Sequence, residues 1–244
     1  MVDFHIYMVP TPLGSLSHSS LDNPEFVGIL SNTRYWVAEN ARTFRRFISA
    51  FNKAIKIDSL LIFELTRDYS RNELQQFLKT NIKLGNIGVV SEAGIPGMAD
   101  PGSDIAMWAH QNEVRVQAIT GPGSIYLALA GSGLNGQQFT FHGYAPMKEP
   151  ELKSFIQQCE KSARQTGYSQ IFIETPYRSD RMLDFLIKYL SDDAMLSISC
   201  NLHEPDGFTQ TGTVKFWKNK TEKPGKSPCI FIIGYNKTSA VKNS

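Results

Sequence analysis

The run Ser91-Glu92-Ala93-Gly94-Ile95-Pro96-Gly97-Met98-Ala99-Asp100-Pro101-Gly102 is the densest concentration of residues with special backbone chemistry in the chain. Gly94, Gly97 and Gly102 carry no side chain, so a ligand can approach the main chain closely there. Two shorter runs are of the same kind: Val9-Pro10-Thr11-Pro12-Leu13-Gly14 and Thr120-Gly121-Pro122-Gly123-Ser124. Each follows a short apolar stretch. Loops at the carboxyl ends of parallel strands are where open α/β sheets bind ligands, so three of them imply a shared site. Ser124 taken alone equally suits the N-cap of the helix that follows.

The ligand is not expected to be a polyphosphate. Gly121–Tyr126 (GPGSIY) lacks the third glycine of a dinucleotide fingerprint, and Gly131–Gly136 is followed by Gln137 where a P-loop needs lysine. The three loops are poor in cations, which suits a neutral or zwitterionic ligand. A metal is not expected either. His5, His18, His110, His142 and His203 are scattered, no HExxH occurs, and Cys159, Cys200 and Cys229 show no ligand spacing. An odd number of cysteines without a CxxC pair fits a reducing compartment.

The loops need strands and helices to hold them. Continuous apolar runs at His5–Val9, Tyr35–Ala38, Leu60–Phe63, Ile87–Val90 and Val114–Ile119 predict strands buried on both faces. Helical patterns lie between them. Ser70–Glu73 has capping-box spacing and opens Leu74–Leu84, with Gly85 as its stop. Ser103–Gln111 and the almost wholly apolar Ser124–Ala130 are the next two. Strand and helix alternate, so the fold class is α/β.

At Gly143–Pro150 the apolar period breaks, which predicts an N-terminal domain over 1–143, a linker at 144–150, a second domain over 151–236 and a tail at 237–244. The second domain should hold helices near Glu151–Gln165 and Arg178–Leu190, with strands at Gln170–Ile173, Met195–Cys200 and Cys229–Ile233. No helix is expected between its last strands, so antiparallel pairing is predicted there.

With 244 residues, 41% hydrophobic and 20% charged, the chain is long and apolar enough to bury a sizeable core. Its net charge of +2 excludes nucleic-acid binding by bulk charge, although a local patch stays open. The first residues lack a basic n-region and no apolar run is long enough to span a bilayer. A cytoplasmic protein without membrane contact is therefore expected.

Seven segments carry a resemblance: Val9–Leu16, Ala38–Arg42, Val89–Gly102, Gly121–Ser124, Ala128–Leu134, Phe141–Pro146 and Glu174–Arg178. In their order and spacing, over about residues 5–235, the chain resembles the tetrapyrrole methylase superfamily. Within it, the chain is most similar to the ribosomal RNA small subunit methyltransferase I branch, which methylates a ribose 2′-hydroxyl with S-adenosylmethionine. The resemblance implies a two-domain tetrapyrrole-methylase-like fold. Its N-terminal sheet would be mostly parallel with helices on both faces, its C-terminal domain smaller and mixed, and its cofactor cleft between the two. It implies cofactor contacts at Pro10, Leu13, Gly94, Ile95, Pro96, Met98, Ser124 and Ile125, and from the second domain at Ile173, Cys200 and Pro228. S-adenosylhomocysteine would be the product, and a homodimer the assembly.

A ribose hydroxyl attacks well only if its proton is accepted as it does so. Glu39, Glu92 and Asp100 are the candidate carboxylates, and Arg42 is placed to orient one of them or an acceptor phosphate. Local roles stand beside these: Glu92 and Asp100 could satisfy loop N–H groups, and Asp100 could cap the helix after Pro101. Phosphate contacts for rRNA, or for the small ribosomal subunit, are available in two stretches. Arg42, Arg45 and Arg46 stand among Phe44 and Phe47; Lys215–Lys226 interleaves five lysines with Phe216 and Trp217. Arg178 and Arg181 open a further helix.

The segment Ala38-Glu39-Asn40-Ala41-Arg42 departs from the Glu-Asp-Thr-Arg of that branch, and His142-Gly143-Tyr144 from its Glu-Gly-Phe. Two other readings follow: a methyltransferase for another acceptor, such as a tetrapyrrole-like small molecule or a protein, and a non-catalytic cofactor-binding module.

Overall fold

The computed structural model describes residues 4–15 and 21–235, which form ten strands and eight α-helices in two compact units, Met1–Gly123 and Ser124–Ser244. His18, Leu16 and the expected tail at 237–244 lie outside the described residues.

In the first unit, β1 (His5–Met8), β2 (Tyr35–Ala38), β3 (Leu61–Glu64), β4 (Ile87–Val90) and β5 (Arg115–Ala118) form one parallel sheet in the order β3-β2-β4-β1-β5. These are the five apolar runs, within a residue at each end. Successive connections step from β1 outward to β3, then back through β4 to β5. Right-handed crossovers in opposite directions put their helices on opposite faces. One core accordingly joins α1 (Pro24–Asn32) and α2 (Ala41–Phe51), through Phe26, Leu30, Phe44 and Ile48, to Trp36 and Val90. The other joins α3 (Arg71–Asn81) and α4 (Gly102–Gln111), through Leu74, Leu78, Ile105 and Trp108, to Ile6, Val37 and Val89.

Helices α3 and α4 follow the sequence pattern, and Ser70 Oγ accepts from Glu73 N at 3.4 Å as the capping spacing requires. Helices α1 and α2 were not expected. Each is opened by an asparagine N-cap, Asn23 accepting from Phe26 N at 3.0 Å and Asn40 from Thr43 N at 2.9 Å.

In the second unit, β6 (Phe139–Tyr144), β7 (Ser169–Glu174), β8 (Met195–Cys200), β9 (Phe208–Thr213) and β10 (Cys229–Gly234) form a mixed sheet, β6-β7-β10-β8-β9. Only β6 and β7 run parallel. Side chains alternate between its faces along each strand. Ile171, Ile230 and Ile232 meet Ile125, Ala128 and Leu129 of α5 (Ser124–Ser132). Phe172, Phe231 and Ile198 meet α6 (Glu149–Thr166), α7 (Ser179–Tyr189) and Trp217 of α8 (Val214–Lys218).

The structure departs from the sequence pattern in three places. The units divide at Gly123, not at 144–150, because α5 and β6 belong to the second core: β6 pairs with β7 and α5 packs beneath β10. The proline-rich stretch at 144–150 is a loop inside that unit. Second, β9 and the short α8 intervene before β10, where no helix was expected. Third, the cysteines are not all unpaired. Cys200 and Cys229 face each other across β8 and β10 and form a disulfide, which their sequence separation of 29 conceals. Cys159 alone is free, buried in the core of this unit, and burial pushes its thiol up to about 12.

Candidate functional site

The three loops singled out in the sequence meet at Gly94. Thr11 N donates to Gly94 O at 2.9 Å and Gly94 N to Thr11 O at 3.1 Å, an isolated antiparallel bridge between the loops after β1 and β4. Thr11 Oγ1 adds a bond to Ser91 O at 3.1 Å. Gly94 has φ of 82°, and a Cβ built on it would sit 3.1 Å from the Leu13 side chain and 3.5 Å from Pro122 O of the loop after β5. Its left-handed conformation favours glycine, and a side chain there would press on Leu13. Pro10 fixes the remaining side, for a Cβ on Gly121 would collide with its ring. β1 and β4 are adjacent, and their connections leave in opposite directions, so the junction lies at the switch point of the sheet.

Asp100 shapes the far part of the loop. Its Oδ1 accepts from Gly97 N and Gly102 N, both at 2.7 Å, across a turn in which Gly97 and Ala99 have φ of 86° and 66°. That is the local bracing role. Within the turn Pro96 is buried, Ile95 half-buried and Met98 exposed.

Glu39 reaches the same loop from the end of β2. Its Oε2 accepts from Glu92 N at 2.8 Å, joining segments 53 residues apart. Burial pushes its carboxyl above the ordinary 4.5; the charges of Asp100 and Glu92 push the same way, against the lowering effect of the Glu92 amide. The three candidate carboxylates are thus neighbours. Arg42 is not part of the group: it is exposed in the first turn of α2, and the charges acting on Glu39 are those of Asp100 and Glu92.

In the second unit, Ser124 is the first residue of α5, and Ile125 is buried in the cluster against which Ile173 packs. Ile173 near the end of β7, Cys200 at the end of β8 and Pro228 before β10 lie along one edge of the sheet, since Ile173 pairs with Ile230 and Cys200 with Cys229. Pro228 O accepts from Asn201 N at 3.3 Å.

A further pair was missed as a site feature. Glu174, with its side chain 1% exposed, lies 3.0 Å from the 23% exposed Arg178. It accepts from Thr175 N at 2.7 Å, while Arg178 donates to Pro146 O at 2.9 Å. The glutamate and arginine of one motif thereby fasten the Phe141–Pro146 motif. The contact at Oε2 is an ion pair rather than an aligned hydrogen bond. The signal was a carboxylate and an arginine four apart around a proline at a strand end.

The basic stretches resolve differently. Phe44 and Phe47 are buried in the core beside Trp36 and Phe26, so neither can stack on a base. In the C-terminal stretch, Lys218 pairs with Asp192, Lys220 with Glu222 and Lys223 with Asp184. Among the described residues, no group of three His, Cys, Asp or Glu side chains is placed to hold a metal, and no helix is long and apolar enough to cross a membrane.

Comparison with known proteins bears out the resemblance in the motifs. The chain is 28% identical over 189 residues to ribosomal RNA small subunit methyltransferase I of Vibrio cholerae, covering 77% of this chain and 61% of the relative. It is 27% identical over 235 residues to the protein of that name from Synechocystis, covering 94% and 78%. It is 27% identical over 197 residues to the one from Hydrogenobaculum, covering 81% and 80%. The chain thus spans about three-fifths of the Vibrio relative's length (61%) and more of the other two. No family model matches it.

Proposed function

We propose that this chain is an S-adenosylmethionine-dependent methyltransferase whose acceptor is a ribose 2′-hydroxyl in the RNA of the small ribosomal subunit. The observation that carries the reading is the junction of three glycine- and proline-rich loops at Gly94, at the carboxyl edge of a parallel sheet. Similarity to methyltransferases over most of the chain supports the reaction class.

The donor set fits the cofactor. None of the three loops carries lysine or arginine, and Glu39, Glu92 and Asp100 gather beside them. Carboxylate and carbonyl oxygens favour a ligand bearing a sulfonium and an ammonium over a polyphosphate. When bound, S-adenosylmethionine supplies an electrophilic methyl group, and S-adenosylhomocysteine leaves. In the first unit Pro10, Leu13, Gly94, Ile95, Pro96 and Met98 shape its bed. Ser124, Ile125, Ile173, Cys200 and Pro228 remain the contacts that the resemblance assigns in the second.

Glu39 is the proton acceptor in this reading. The Glu92 amide engages Oε2, which leaves Oε1 to take the proton of the attacking hydroxyl, and a raised proton affinity suits that role. Asp100 holds the loop in shape and Arg42 meets an acceptor phosphate. The resemblance also carries a cytoplasmic homodimer, whose mass sedimentation velocity would read.

Calorimetric titration with S-adenosylhomocysteine tests the site. Saturable binding of one ligand per chain is expected, lost in Gly94→Val. Folded wild-type protein that binds neither S-adenosylhomocysteine nor S-adenosylmethionine would overturn the reading.

A further inference from the structure

Charge is distributed unevenly along a chain whose net charge is only +2. Residues 40–57 contain Arg42, Arg45, Arg46, Lys53 and Lys56 and no acidic residue. In α2, Ala41, Phe44, Phe47 and Ile48 are buried, while Arg42, Arg45 and Arg46 are exposed. Positions i, i+3 and i+4 share one helix face, so the three guanidinium groups project together, away from the core. Among the described residues none of the three is joined to a carboxylate; at the helix start, Glu64 Oε1 accepts from Ala41 N at 3.1 Å. The lysines of the C-terminal stretch contrast with this, because three of the five are paired with carboxylates. Position adds to charge. Glu39, just before the Asn40 cap, is bonded to the Glu92 amide, so α2 starts at the loop junction.

We infer that the outer face of α2, carried by Arg42, Arg45 and Arg46, is the surface on which single-stranded acceptor RNA lays its phosphate backbone. The inference rests on the RNA reading above and deepens it. Guanidinium groups suit phosphate oxygens in geometry and stay charged. Absence of exposed aromatics on this face means that it reads backbone rather than bases. Base-specific contacts must come from elsewhere.

The test is fluorescence anisotropy of a labelled single-stranded RNA oligonucleotide over a range of salt concentrations. It compares the wild type with Arg42→Gln/Arg45→Gln/Arg46→Gln and with Lys218→Gln/Lys220→Gln/Lys223→Gln. Each phosphate contact contributes about 0.7 to the salt slope for single strands. The arginine variant should therefore show a slope shallower by about 2 and an affinity weaker by roughly 100-fold near 0.1 M salt. The lysine variant should keep the wild-type slope. Unchanged thermal melting and unchanged S-adenosylhomocysteine binding would show that the arginine variant is folded with its cofactor site intact. If the wild type binds RNA and the arginine variant keeps its slope, the surface is wrong and the RNA reading stands. If the wild type binds no RNA but is retained by vesicles rich in phosphatidylserine, the face is a membrane contact, and both readings fall.

Discussion

Asp100 and Glu39 carry the same functional group in two settings. Asp100 holds two amide N–H groups with one oxygen, bridging a turn that contains two residues at positive φ. Asp100→Ala leaves those amides without their acceptor and should cost about 2–3 kcal/mol in urea denaturation. Burial, and after it the nearby charges of Asp100 and Glu92, raise the folded-state proton affinity of Glu39 against the lowering effect of its one amide bond. A raised carboxyl binds more protons in the folded state, so its contribution to stability is fully present below 4.5 and is lost as pH rises through the raised value. Thermal melts of Glu39→Gln should therefore gain on the wild type as pH rises through that window. Methyl transfer should fall about 10²–10⁴-fold in the same variant and lose its acid limb; a wild-type rate and pH profile would remove Glu39 as the proton acceptor. The candidate carboxylates were legible in the sequence, but their ranking was not. Which of them is braced by amides and which is surrounded by charge depends on loops brought together from 53 positions apart.

At the scale of elements, β2 and β4 show what the sheet demands of its sequence. Trp36 and Gly88 are direct partners in the parallel register, and the indole lies where a Cβ on Gly88 would be. Gly88→Ala should overpack this pair and cost about 1–3 kcal/mol, read as a shifted denaturation midpoint. The inner strands β2 and β4 were legible because burial on both faces leaves continuous apolar runs, whereas the edge strands β3 and β5 are half-buried or exposed and were legible from short apolar runs alone. Helices α1 and α2 were not. Gly28 and Ser31 dilute the first, and in the second the paired arginines mask the apolar period formed by Phe44, Phe47, Ile48 and Phe51. The cues were the asparagine caps. Strand β9 escaped because an edge strand of threonines and glutamine (Phe208–Thr213) has no apolar run, and β6 because most of its side chains are exposed.

For the whole molecule, the division at Gly123 has a measurable consequence. Ile125, Ala128 and Leu129 cover one face of the second sheet, and β6 covers the edge of β7. A fragment of residues 124–235 should unfold cooperatively. A fragment starting at 151, the limit that turn composition suggests, lacks α5 and β6 and loses about 4 kcal/mol of apolar burial from Ile125 and Leu129 alone. It should show no cooperative transition by circular dichroism. Composition misplaces the limit because a proline-rich loop within a unit looks like a linker, whereas the true division passes through Gly123-Ser124 at a helix start.

Methyl transfer to ribose can be read on the ribosomal subunit itself. Purified protein would be incubated with S-adenosylmethionine carrying a labelled methyl group and with small ribosomal subunits lacking ribose methylation. The RNA would then be digested to nucleosides and separated. Label is expected in a single 2′-O-methylnucleoside, absent with Gly94→Val. Label confined to protein or to small molecules, or in the base rather than the ribose, would contradict it.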